Sequence, residues 1–148
     1  MLVKEFVPYK QALALKELGF DEHCFKMSEH KKVCDEQSKP QGCQLHNLHC
    51  GYPDCTIDKS ITPVPLPTFS QAFRWFRKKY DWQHSIEPTA DQHSHQLGYN
   101  YWIWNYKTGE EYHTMPKNRP SGDWEYKSYE EAELACLIKL IQIVKEKK

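Results

Sequence analysis

The stretch CQLHNLHCGYPDC, Cys43 to Cys55, places three cysteines and two histidines within thirteen residues. Thiolate sulfur and imidazole nitrogen are the ligands zinc takes, four at a time in a tetrahedron, and short spacings put two of them on one turn. Cys43, His46, Cys50 and Cys55 form the candidate metal set, with His49 as a competitor and Cys34 within reach. The pattern Cys-x2-His followed by Cys-x4-Cys is not that of a standard finger. It reads as a structural zinc, in preference to a catalytic one, or as a loop of free thiols in which a disulfide can form after purification. A bound metal would offset the entropy of ordering so long a loop.

A second set of residues has the chemistry to hold a flat, charged ligand. Leu97 to Tyr106, LGYNYWIWNY, alternates like a strand, with Leu97, Tyr99, Tyr101 and Ile103 on one face and Trp102, Trp104 and Tyr106 on the other. Aromatic faces stack on nucleobases at ~1–3 kcal/mol per base. Arg74 and Arg77 offer bidentate contacts to phosphate. Backbone N–H groups at a helix start on Thr68 make another anion site. Arg74, Arg77, Tyr99, Tyr101, Trp102, Trp104 and Tyr106 are therefore the candidate binding residues for a small nucleotide-like ligand. The plainer reading stands beside it: aromatic stripes usually build a core, which leaves the arginines on a solvated face.

Signals for catalysis are sparse. His93-Ser-His95 is the one His-x-His pair, and it sits in the polar stretch TADQHSHQLG, which reads as loop. The chain has no Gly-rich phosphate loop, nucleophile elbow or kinase signature. No catalytic residue and no organic cofactor are assigned. Cys136, in an apolar helix, reads as a buried thiol.

These residues need elements to position them. A first helix is expected from about Pro8 to Leu18, stopped by Gly19 in a left-handed cap with Phe20 folded back onto it. Cys24 to Met27 reads as a short strand. From Cys34 to Pro67 periodicity is lost, and the segment carries four of the six cysteines and five prolines. It reads as a long inserted loop, 34–67, within a single domain of residues 1–148. A second helix starts at Thr68, whose capping box with Gln71 is explicit, and runs to Tyr80. Phe69, Ala72, Phe73, Phe76 and Tyr80 share its apolar face, with Trp75 at the edge. Residues 97–106 make the best strand, 111–115 can return beside it, and Trp124 to Tyr126 can add a third. A last helix from Tyr129 to Lys145, capped by Ser128 and Glu131, is apolar nearly all round, which implies deep burial or a partner. The fold class is α+β: three helices packed on a small, mainly antiparallel sheet, with a Cys/His-rich loop insertion.

Composition narrows the partners. Twenty Lys and Arg balance twenty Asp and Glu among 148 residues, so no global field recruits nucleic acid or an anionic membrane. No apolar run approaches the ~20 residues that span a bilayer. The start, MLVKEFVPYK, lacks a signal core, so a soluble, cytoplasmic protein is expected, its cysteines thiols or metal ligands before disulfides. Aromatic content is 14%, a surplus in so polar a chain and the strongest hint of a core or ligand wall.

Three segments, FVPYKQALALKELGFDE (6–22), LPTFSQAFRWFRKKY (66–80) and SYEEAELACLIKLIQIVK (128–145), together resemble a family of small bacteriophage proteins common in phages of Bacteroidota. The resemblance covers about a third of the chain and matches in order. It implies a phage or prophage source and a bacterial cytoplasm. Small phage proteins of this kind often counter host defence, one route being to sequester nucleotide signals, including ADP-ribose-derived ones. The Cys/His-rich segment between 34 and 55 departs from the family pattern, and no family role carries onto it. The expected function is binding of such a signal without turnover, in a homo-oligomer. The alternatives are a module that inhibits a host protein by direct contact, and a small hydrolase using His93 and His95.

Overall fold

A computed structural model of the chain describes residues 5–24, 26–27, 64–90, 95–114 and 125–148. Within them the fold is α+β, three helices and a three-stranded antiparallel sheet.

Helix α1, Tyr9–Glu17, is stopped as its sequence demands. Gly19 takes φ 98, a conformation that costs a side-chain-bearing residue, and so completes a Schellman turn. The Phe20 amide donates to Leu15 O at 2.9 Å and the Gly19 amide to Lys16 O at 3.0 Å. Phe20 is buried against Trp75, ring to ring at 5.5 Å.

Strand β1, Lys26–Met27, pairs antiparallel with β2, Pro65–Leu66. This corrects the reading of 34–67 as one inserted loop. Its last four residues are part of the framework: Val64 and Leu66 are buried, and Pro67 O accepts from the Val7 amide at 2.9 Å. The rest of that segment, with Cys34, Cys43, His46, His49, Cys50 and Cys55, lies outside the described residues.

Helix α2, Phe69–Tyr80, opens on the expected capping box. The Gln71 amide donates to Thr68 Oγ1 at 3.2 Å, and the Thr68 amide to Gln71 Oε1 at 3.0 Å. Trp75 is core, 4% exposed, not the edge residue its helical angle suggested. Phe20, Phe76 and Tyr80 enclose it on three sides.

The sheet runs in the order β3, Trp82–Ala90; β4, Leu97–Asn105; β5, Glu111–His113. β3 is an addition to the expected elements. It pairs with β4 over its whole length, Trp82 opposite Asn105 and Ala90 opposite Leu97. It lies at the edge of this sheet and carries Pro88, a residue whose missing N–H is tolerated at an edge. β4 ends at Asn105 instead of Tyr106, because Asn105 closes the turn. Its Oδ1 accepts from the Lys107 and Thr108 amides at 2.9 and 3.3 Å, and its Nδ2 donates to Tyr80 O at 3.0 Å. β5 stops at His113, and Tyr126 forms a single bridge to Tyr99, not a strand.

Helix α3, Tyr129–Glu146, and helix α2 cover one face of the sheet. Phe73 of α2 stacks on His84 at 3.7 Å, and Lys139 and Lys147 of α3 lie over Tyr112 and Trp82. The core between these layers includes Ile103, Trp82, Phe76, Leu137 and Leu140. Among the described residues no helix is long and apolar enough to cross a membrane.

Candidate ligand-binding site

Alternation along β4 sends Tyr99, Tyr101 and Ile103 toward the helices and Trp102 and Trp104 to the other face. Cross-strand neighbours share a face, so register defines the surroundings of the two indoles. Trp102 lies opposite Ser85 and His113, and Trp104 opposite Gln83 and Glu111.

The two indole rings sit side by side, centroids 4.7 Å apart. His113 stacks on Trp102 at 5.5 Å and 25°, and its Nε2 lies 3.4 Å from Glu111 Oε1. Tyr106, in the turn and 81% exposed, stands edge-on to Trp104 at 6.2 Å. Ser85 Oγ donates to Glu87 Oε1 at 3.1 Å on the same face. The result is an aromatic platform with Glu87 and Glu111 at its margins.

Both tryptophans are half-buried, and the Nε1–H of each is buried with no acceptor. An unmet buried donor costs ~1–3 kcal/mol, and buried tryptophan N–H groups ordinarily find a partner. Neither indole finds an acceptor among the described residues, which sets this pair apart from ordinary buried tryptophans.

The helix-facing aromatics have a different fate. Tyr101 is half-buried, its ring 6.1 Å from Tyr126. Burial, then the neighbouring Tyr126, pushes its phenol up to about 12. Tyr99 meets Tyr129 of α3 edge-on at 6.0 Å. Both rings thus lie against other tyrosines on the helical side of the sheet.

The arginines lie in the helical layer. Arg74 donates to Glu22 Oε2 at 2.9 Å. Arg77 lies near His84, where its positive charge adds to burial in pulling the imidazole down to about 4. His84 faces the helices, so the sheet stands between these arginines and the tryptophan pair. The anion site read at Thr68 is partly used by the chain itself, since the Gln71 amide already donates to Thr68 Oγ1.

Of the remaining candidates, His93 lies outside the described residues, and His95 is exposed with φ 54. No group of three His, Cys, Asp or Glu side chains able to hold a metal ion occurs among the described residues. His113, Ser85, Gln83 and Glu111 were not singled out from the sequence. The signal for β3 was present in Trp82, His84 and Ile86 alternating with Gln83, Ser85 and Glu87, but His84 and Pro88 blur it. No family model, curated protein or solved structure matches the chain.

Proposed function

We propose that the protein binds a nucleotide-derived host immune signal, an ADP-ribose derivative or a cyclic nucleotide, and sequesters it without turnover. The phage setting rests on the resemblance of the three helical segments. The observation that carries the binding is the Trp102–Trp104 platform with its two unpartnered Nε1–H donors. A nucleobase offers a flat π-system to stack on an indole face, and its ring nitrogens or carbonyls could accept only from the edge of the neighbouring indole, once what buries that edge gives way.

The division of labour in this reading differs from the one expected from the sequence. Arg74 and Arg77 lie behind the sheet, so a ligand on the platform does not take its phosphate contacts from them. Glu87 and Glu111 beside the indoles repel phosphate. The base is the recognised part, and the phosphates point to solvent.

A thermal-shift screen against cyclic dinucleotides and ADP-ribose derivatives tests this, because saturating ligand stabilises the fold by RT ln(1 + [L]/Kd). Trp102→Ala and Trp104→Ala are each expected to weaken binding about tenfold or more, the loss of one stack. Arg77→Ala is expected to leave Kd within about twofold, a change too small to represent a lost charge-assisted hydrogen bond. Intact ligand recovered on denaturation supports sequestration. Degraded ligand would favour the hydrolase, and a flat screen the protein-binding module.

A further inference from the structure

The final helix is apolar nearly all round, and the fold buries most of that surface. Ile138 stays 44% exposed, and Leu13 on α1 stays 37% exposed. The two share a groove of about 610 Å³ between α1 and α3, lined also by Ala14 and Ile141 and bounded on α1 by Lys10 and Glu17. It opens on the helical side of the molecule, since α3 lies against the sheet face opposite the tryptophan pair.

We propose that this groove is the interface of a two-fold symmetric homodimer in which the α1 helices of two copies lie antiparallel. A two-fold contact must be self-complementary: residue i meets j, and j meets i. Lys10 and Glu17 differ by seven positions, about two helical turns, so they lie on one side of α1 about 10 Å apart. The midpoint between them falls between Leu13 and Ala14. A two-fold axis there sets each Lys10 against the other copy's Glu17 and each Leu13 against apolar surface. A parallel arrangement would oppose like charges. Apolar centre and charged margin match the anatomy of a protein interface. Across the groove, Lys145 Nζ lies 3.4 Å from Glu17 Oε2 within the same copy, so in the dimer Glu17 is held between two ammonium groups.

This inference does not depend on the ligand reading, and the two fail separately, because one is read by mass and the other by ligand-induced stabilisation. Sedimentation velocity on the full chain across a wide micromolar range is expected to show a dimer. Ile138→Glu and Leu13→Glu replace exposed side chains, so each should keep the helical circular dichroism. Each should raise the dimer dissociation constant about a hundredfold, as an unpaired charge at the centre of an interface does. Lys10→Glu should raise it about tenfold, since symmetry doubles each repulsion, and Lys10→Arg, which keeps the charge, should leave it within about twofold. A monomer throughout, or a dimer that survives both Ile138→Glu and Leu13→Glu, overturns the proposal. So does a monomer that pairs through this groove only with a different protein, or one whose groove is covered by another segment of its own chain.

Discussion

At the scale of single residues, His84 carries the clearest pH signature. Its ring lies flat on Phe73 in the apolar layer between sheet and helices. Burial first, and the Arg77 charge second, bring its pKa from 6.5 down to about 4. The unfolded chain takes up this proton near the ordinary value, and the folded chain resists it. The associated stability is therefore complete above about pH 6.5 and is lost as pH falls toward about 4, by on the order of 2–3 kcal/mol. His84→Phe keeps the stack and removes the proton. Urea titrations at about pH 7.5 and 4.5 should show a smaller acid-induced loss in that variant than in the parent, and equal losses would refute the assignment.

The same scale shows where side-chain direction was readable. Alternation in Leu97 to Tyr106 separated Trp102 and Trp104 from Tyr99 and Tyr101 correctly, because a pleat admits only two faces. It could not say which face meets the helices, since both carry aromatics. That choice depends on α3, whose Cys136 and Tyr129 lie on the Tyr101 side. Arg74 and Arg77 were legible as cations on a helix. Their distance from the indoles depends on how helix and sheet stack, which no local pattern encodes.

At the scale of elements, the helices were written with explicit punctuation. Thr68 and Gln71 cap α2 reciprocally, Ser128 Oγ accepts from the Glu131 amide at 3.2 Å, and Gly19 ends α1. Thr68→Ala leaves the Gln71 amide without its acceptor and is expected to cost ~1 kcal/mol. It should appear as a lower urea midpoint at unchanged slope, and a midpoint equal to the parent's would show the cap to be idle. Strands were less legible. β3 has an imidazole where an apolar residue is usual and a proline near its end, so its alternation is diluted. Val64 to Pro67 has the composition of a linker, three prolines in the run 63–67, yet Val64 and Leu66 are buried. Proline punctuation overrode a two-residue apolar signal too short to count.

At the scale of the whole molecule, the α+β class followed from three strongly periodic segments flanking one aromatic strand. What did not follow is the asymmetry: the helices of the core all lie on one side, and Trp102 and Trp104 are left on the other. An antiparallel sheet tolerates helices on one face alone, so nothing in the composition forbids this. The two faces divide the proposed roles, the helical side for a second copy and the sheet side for a ligand.

One detail of the sheet bears on how the protein behaves in crowded solution. β3 runs nine residues along the edge of the described sheet. Among the described residues no strand pairs with its outer side, and the alternate amides along such an edge are a template for fibre growth, each new chain adding its own strand. Pro88 has no amide to offer, and Glu87 sets a charge beside it, so an incoming strand loses register partway along. Pro88→Thr keeps the strand and restores the missing donor. It is expected to hasten turbidity in the heated protein, and a variant that stays as clear as the parent would show that the proline guards nothing. Colloidal lifetime, on this view, depends on one imino acid at a margin far from any buried core.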